Sequence, residues 1–234
     1  MKPKLWFTSD THFGHGNIII HCDRPFMDVG DRALCRKYVT AKQTLPPVLK
    51  ERIEAAVHYI DDTMIKNWNS VVAPEDDVWH IGDFSLSRKT VAGDYLPKLN
   101  GRLHLVRGNH DGESTWAHHQ WAFSEHYAER GTQGTNLVMS HYAMRHWNGS
   151  FGDKGSIQLH GHSHGQMSPL KNQCDVGVDV WDFRPVSLQS ILERVILTNS
   201  LTQGGNLIQI AKAAAVSVYS PKRWPDPIDK GVSA

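Results

Sequence analysis

Cysteine is scarce in this chain of 234 residues, which has three, at Cys22, Cys35 and Cys174. The number is odd and no pair stands in a CxxC spacing. That argues against a disulfide framework or a cysteine-built zinc site and fits free thiols in a reducing compartment. Long apolar runs are lacking too. None approaches the roughly 20 residues that a membrane-spanning helix requires. The N-terminus leads straight into an apolar strand without the pattern of a signal peptide. A cytoplasmic protein with no membrane partner is therefore expected. Excess charge of one sign is also missing, since 25 Lys and Arg face 24 Asp and Glu for a net +1. Lys and Arg form no cluster, so nothing in the charge pattern supports nucleic-acid binding, although it does not exclude it. Internal repeats and low-complexity segments are absent.

What the chain has in quantity is histidine, 15 residues. The length suffices for one large domain or two small ones. The apolar run Leu5-Trp6-Phe7-Thr8 reads as a buried strand that ends in Ser9-Asp10-Thr11-His12. A Gly-rich loop, Phe13-Gly14-His15-Gly16-Asn17, follows. Its glycines permit either close approach to a ligand or a tight turn. Ile18-Ile19-Ile20 starts a short apolar element. Residues 28–46 are polar and mixed, an inserted loop or lid with some helix, and the expected insertion spans 28–55. Residues 47–69 predict a long amphipathic helix, with Ile53, Val57, Ile60, Met64 and Trp68 on one face and Pro47 in the first turn. A weaker helix is expected over 87–99, and a third helix over 114–130, starting at the possible cap Ser114. The aromatics of the latter, Trp116, Trp121, Phe123 and Tyr127, read as packing residues.

The alternation of strand and helix favours a parallel sheet at the start, and strand following strand from 136 onward favours a second, more antiparallel one. Val176 to Trp181 predicts a further strand, and Val186 to Val195 a helix or strand–helix join. The sum is an α/β (α+β) domain over 1–197. Residues 198–234 lose the pattern and are expected to form a C-terminal appendage.

The first strand is one of five apolar runs that end in a metal-ligand type of side chain. Asp77-Val78-Trp79-His80-Ile81 ends in Gly82-Asp83. Arg102 to Arg107 ends in Gly108-Asn109-His110-Asp111. Asn136 to Ser140 ends in His141, and Ser156 to Leu159 leads into His160-Gly161-His162-Ser163-His164. In open α/β sheets, ligands gather at the carboxyl ends of strands. Asp10, His12, Asp83, Asn109, His141, His162 and His164 are therefore expected at one crevice. Seven donors exceed the four of a tetrahedral zinc. They suit two divalent ions sharing a carboxylate, the arrangement that activates a bridging water and clamps the oxygens of an in-line displacement. Imidazole, carboxylate and amide donors suit Mn first, with Fe, Zn or Ni as alternatives.

Asp10-x-His12, Gly82-Asp83, Gly108-Asn109-His110-Asp111, His141 and Gly161-His162-x-His164 match, in order, the motifs of the calcineurin-like metallophosphoesterase superfamily. Their flanks are Ser9 to Ile18, Arg24-Pro25-Phe26, Asn67 to Val72 and Val176 to Val180. These resemble a bacterial and phage branch of small members, over about residues 4 to 195. The resemblance implies a β-sandwich flanked by helices. It implies a first metal on Asp10, His12, Asp83 and His164, and a second on Asp83, Asn109, His141 and His162. His110 would stabilise transition-state oxygens or protonate the leaving group. The implied activity is hydrolysis of a phosphodiester or phosphomonoester of a small or nucleotide-like molecule by a metal-bridging hydroxide. One departure matters. Protein phosphatases of the superfamily follow Gly-Asp with a further Asp and Arg, where this chain has Phe84-Ser85-Leu86-Ser87-Arg88. Protein dephosphorylation is not expected, and what orients His110 stays open. Asp111 reads first as a residue closing its own turn.

His15, Asn17, Asn109 and Arg24 are candidate substrate contacts, Arg24 as a phosphate fork or else as an ion pair. His160 should point away from the crevice, and His118, His119, His126 and His146 read as surface residues. Two other functions compete. A nuclease would need a basic or stacking track beside the metals. A non-catalytic binding module on the same fold would have lost ligands or the catalytic histidine, and all are present.

Overall fold

The computed structural model describes residues 2–87, 91–132, 134–151, 155–168 and 170–202. Strand β1 (Leu5–Thr8) lies between β2 (Asp77–His80), which pairs with it in parallel, and the short antiparallel β9 (Val186–Ser187). Parallel β3 (Arg102–Val106) and β4 (Phe123–Glu125) complete a five-stranded sheet in the order β4-β3-β2-β1-β9. A second sheet runs β5 (Ala128–Thr132), β6 (Thr135–Met139), β7 (Ile157–His160), β8 (Gln173–Asp175).

Side chains alternate across a strand, and here both faces are used. Val78, Leu103 and Leu105 face the helices, packing with Ile19, Ile53, Ile60, Met64 and Trp68. Phe7, Trp79, Ile81 and Val106 face the second sheet, against Leu137, Met139 and Leu159. The molecule is thus a sandwich of two mixed sheets flanked by helices, as the family resemblance implies.

Helix α1 (Gly16–His21) buries all three isoleucines. Helix α2 (Val29–Thr40), capped by the Asp28 carboxylate on the Asp31 amide, occupies the first half of the segment 28–55 read as an insertion, whose end is the start of the next helix. Helix α3 (Pro47–Val71) has Pro in its first turn and buries Leu49, Ile53, Ala56, Ile60, Met64 and Trp68 at three- and four-residue steps. Each of the larger side chains contributes roughly 1.5–3 kcal/mol by leaving water. Helix α5 (Leu188–Thr202) packs on β1, β8 and β9 and crosses the expected boundary at 197. The rest of the expected appendage, 203–234, lies outside the described residues. No helix among the described residues is long and apolar enough to cross a membrane.

Four sequence expectations need correction. The helix expected over 87–99 is two short 3-10 turns, Ala92–Asp94 and Leu96–Lys98, with 88–90 outside the described residues. Gly93 and Pro97 deny it a continuous helix. The helix expected over 114–130 is one turn, α4 (Glu113–Trp116), followed by β4 and β5. The Trp121 indole donates to the Thr115 carbonyl at 2.7 Å, and the Ala122 amide donates to Leu103 at 2.8 Å, which folds the chain back beside β3. The strand expected over 176–181 is a 3-10 turn, Val178–Val180, preceded by β8. There the Val178 amide leaves the sheet to donate to Ser9. The second sheet is also less antiparallel than expected. Only β5 and β6 pair that way, while β6–β7 and β7–β8 are parallel.

Candidate metal centre

The carboxyl ends of β1, β2, β3, β6 and β7 meet at one place, and two groups of donors stand there. Asp10, His12 and His164 form one, Asp83, His141 and His162 the other, with the ligand atoms of each group mutually within 4.8 Å. Asp83 lies between them. Its Oδ2 is 3.5 Å from His12 Nε2 and 3.3 Å from His141 Nε2. Asn109 Oδ1 is 3.2 Å from His141 Nε2, so the amide joins the second group.

The backbone is bent to aim these side chains. Asp10, His12, Asp83, His162 and His164 all have positive φ, between 47° and 65°. Non-glycine residues in that region typically cost of order 1–3 kcal/mol each and persist where the surroundings overdetermine them. The surroundings here are hydrogen bonds between loops. The Asp10 and His12 amides donate to the Gly82 and Asp83 carbonyls, each at 3.0 Å. The His162 amide donates to both Asp10 oxygens, at 3.1 and 3.0 Å. Asp111 accepts from the amides of Asp83, Phe84 and Gly108 at 2.8–2.9 Å, tying the loop after β2 to the loop after β3. It is thus a structural brace, and it makes no contact with the His110 ring among these bonds. Gly108 is needed for that closeness, since a Cβ there would stand 2.2 Å from Asp83 Oδ1.

Burial and neighbouring charge set the protonation of the group. Burial pushes the Asp10 carboxyl up to about 7. It drives His12 well below the ordinary imidazole value, with Arg24 adding to the effect. Asp83 is also penalised by burial, but the His141 hydrogen bond overrides this and holds it below the usual carboxylate range. His141 is raised in turn, its own burial penalty outweighed by Asp83. His164 is raised to about 10, because its bond to Asp179 more than offsets burial. His15 falls to about 4 through burial and the nearby His110.

Divalent cations fit this donor set. Both ring nitrogens of the buried His12 lack a hydrogen-bond partner, and a buried polar atom left so costs about 1–3 kcal/mol. His141 Nδ1 is 2.8 Å from the Ile81 carbonyl, and His164 Nδ1 is 2.7 Å from Asp179. Each imidazole therefore presents Nε2 to the cluster, its tautomer set by the other nitrogen's partner.

The remaining expected residues divide. His110 sits at the mouth, its side chain 42% exposed, Nε2 4.0 Å from Asp83 Oδ2 and its amide donating to Asp83 Oδ1 at 2.8 Å. The His15 ring is 5.4 Å from that of His12. Asn17 is exposed on the first turn of α1. Arg24 is not available as a phosphate clamp. It is 1% exposed, and its guanidinium is bound to Asp179 and to the carbonyls of Asp10 and Thr11. The ion-pair alternative is the correct one, buried rather than at the surface. His160 is buried and turned to the Gly161 carbonyl.

Two residues of the site were given no role from the sequence. Asp179 lay within a recognised flank, Val176 to Val180, but its partners are 15 and 155 residues away along the chain. Tyr142 follows His141, is 52% exposed and sets its ring 4.6 Å from that of His162. Buried Gln158 and Ser140 both bond its carbonyl. Its adjacency to His141 was the available signal.

No family model matches the sequence. An uncharacterised protein of Methanocaldococcus jannaschii is 29% identical over 201 residues, covering 82% of this chain and 91% of that protein. The gene 66 protein of Mycobacterium phage L5 is 28% identical over 223 residues, covering 81% and 93%. Among solved structures, a protein of unknown function from Aquifex aeolicus superposes with a TM-score of 0.54 at 21% identity, covering 82% of this chain and 98% of that one. The chain shares its fold. A phosphoesterase from E. coli aligns over 74% of this chain and 78% of its own at 12% identity, with a TM-score of 0.35, at which a likeness carries no weight.

Proposed function

We propose that this chain is a dinuclear metal-dependent phosphoester hydrolase of the calcineurin-like type, acting on a small or nucleotide-like phosphodiester or phosphomonoester. The observation that carries the reading is the position of Asp83, one carboxylate oxygen within 3.5 Å of an imidazole from each donor group. A shared carboxylate between two such groups suits a pair of ions. Asp10, His12, Asp83 and His164 would hold one, and Asp83, Asn109, His141 and His162 the other, with Mn²⁺ the first candidate and Fe, Zn or Ni compatible. When bound, two such ions supply Lewis acidity and lower the pKa of water to about 7.

The protein's own groups do the rest. Asp83 and Asp10 offset cation charge in a buried setting. His110, exposed at the mouth, is placed to donate to a phosphoryl oxygen or to protonate the leaving oxygen. His15 flanks the same opening, and Tyr142 offers an aromatic face beside His162. The order and completeness of the motifs favour catalysis over a binding module.

The test is hydrolysis of bis-p-nitrophenyl phosphate and of p-nitrophenyl phosphate by protein stripped with a chelator and reloaded with Mn²⁺. Activity should vanish on stripping and return on loading, and the ratio of the two rates distinguishes diesterase from monoesterase. His110→Ala should lower kcat by about 10²- to 10⁴-fold, the worth of general acid catalysis, at unchanged metal content. Equal loss of metal would instead make His110 a ligand. Cleavage of single- or double-stranded DNA or RNA in preference to both esters would favour the nuclease reading.

A further inference from the structure

We infer that Arg24 and Asp179 are positioning residues for one of the two donor groups: through Asp179 they hold His164, and through backbone carbonyls they hold the turn of Asp10 and His12. This rests on the two-metal reading above.

The geometry is that of a buried relay. Arg24 Nε donates to Asp179 Oδ1 at 2.8 Å and Nη2 to Oδ2 at 2.9 Å, a two-point fork. Asp179 Oδ2 in turn accepts from His164 Nδ1 at 2.7 Å. That bond places the His164 proton on Nδ1 and leaves Nε2 free to face Asp10 and His12. The other donors of the same guanidinium turn the opposite way. Nη2 reaches the Asp10 carbonyl at 2.7 Å, and Nη1 reaches the Thr11 carbonyl at 3.1 Å. Those carbonyls belong to the segment in which Asp10 and His12 adopt positive φ. One side chain therefore fixes three donors that come from opposite ends of the chain.

The second donor group is built differently. Asp83, His141 and Asn109 are held by the Ile81 carbonyl, by the His110 amide and by each other, and none of these bonds passes through Arg24 or Asp179. The relay thus bears mainly on the first group; of the second, His162 meets it through the amide that donates to the Asp10 carboxylate. Lysine could not replace Arg24, because a single ammonium cannot reach a carboxylate and two carbonyls in fixed directions. The Arg24 carbonyl accepts from the buried Arg32 at 2.8 Å, which anchors the loop that carries the relay to α2.

The experiment is Mn²⁺ titration of the metal-stripped full chain by isothermal calorimetry, with bound metal counted by mass spectrometry. The unaltered chain should bind two Mn²⁺. Asp179→Asn, which matches the carboxylate in size, should weaken one site about 10- to 100-fold and leave the other unchanged. Arg24→Lys should do the same. In the stripped protein, ¹H–¹⁵N spectra should show a His164 Nδ1 proton protected from solvent exchange by its bond to Asp179, and that resonance should shift or exchange away in Asp179→Asn. That readout needs no metal, and a role in stability alone would not move it. Two sites of unaltered affinity in Asp179→Asn, or equal weakening of both, would overturn the relay and leave the two-metal reading standing. Fewer than two Mn²⁺ on the unaltered chain would overturn that reading itself. Arg24→Lys losing its fold leaves the decision with Asp179→Asn.

Discussion

At Gly161 a single methyl group would strike two residues of the first strand's loop. A Cβ there would stand 1.8 Å from Ser9 Oγ and 2.4 Å from Asp10 Oδ2. Neither neighbour has room to retreat. Ser9 Oγ is committed to the Ile81 carbonyl at 2.7 Å, and Asp10 is fully buried and holds the His162 amide. Gly161→Ala is therefore expected to displace Asp10, the residue with most to lose from a shift of a few tenths of an ångström. Overpacking of this kind typically costs about 1–3 kcal/mol, so denaturant unfolding of the stripped protein should move by that amount. Mn²⁺ affinity should fall at the Asp10 group before it falls at the Asp83 group. Gly131→Ala is the control, since nothing lies within 4 Å of a Cβ at that position. A Gly161→Ala variant as stable and as tightly metallated as the control would mean that the contact between Gly161 and the first strand's loop is looser than its distances state.

Helix α3 contributes to the site through one buried acid. Asp61 accepts from the Gly14 amide and, at 2.9 Å, from the Tyr95 hydroxyl, pinning the loop just beyond His12. Burial raises its pKa to about 6 from an ordinary 3.8. The folded protein then holds this proton more tightly than the unfolded chain does. Its contribution to stability is largest below about pH 4 and is lost as pH rises through about 6. Asp61→Asn should remove that slope, so the variant gains on the unaltered chain by about 1–3 kcal/mol between pH 4 and pH 7. Unfolding midpoints at pH 4, 6 and 8 would test it, and parallel curves for the two proteins would refute it. That α3 exists at all was legible, because Ile53, Ile60, Met64 and Trp68 recur at helical steps and Pro47 starts them. The first three strands were legible for a similar reason, each a short apolar run with a polar end. The one-turn α4 and strands β4 and β5 were not. Their aromatics satisfy a helical period as well as a strand's, and what decides between them is pairing with β3 and β6, which local sequence does not encode. Asp179 escaped notice for the same kind of reason. Val176 to Val180 alternates like a strand, and bonds that the local pattern does not announce, Val178 to Ser9 and Gly177 to the Asp175 carboxylate, turn it into the corner that delivers the Asp179 carboxylate.

At the scale of the whole molecule, two sheets share one edge of chemistry. Strands β1, β2 and β3 supply Asp10, His12, Asp83 and Asn109, while β6 and β7 supply His141, His162 and His164. The parallel bridge between Ser9 and Gly177 joins the sheets at that edge. The set of candidate ligands was legible because each stands just past an apolar run, so strand ends and chemistry coincide in the sequence. The grip between them, in Arg24, Asp111 and Asp179, was not, because it consists of bonds between loops far apart in the chain. Every donor, both apolar cores and the relay lie within residues 2–202. Helix α5 completes the second core with Ile191 and Val195 and is part of that whole. A chain ended after Thr202 should therefore unfold in one cooperative step and bind two Mn²⁺ with the affinity of the full chain. A chain ended after Ser187 loses α5 and uncovers β8 and β9, and it should lose cooperative unfolding. Calorimetric melts of the two truncations, each with a Mn²⁺ titration, decide the matter. Loss of either metal from the longer truncation would place part of the centre's support beyond Thr202. An unchanged melt in the shorter one would mean that the two sheets hold together without the helix that joins them.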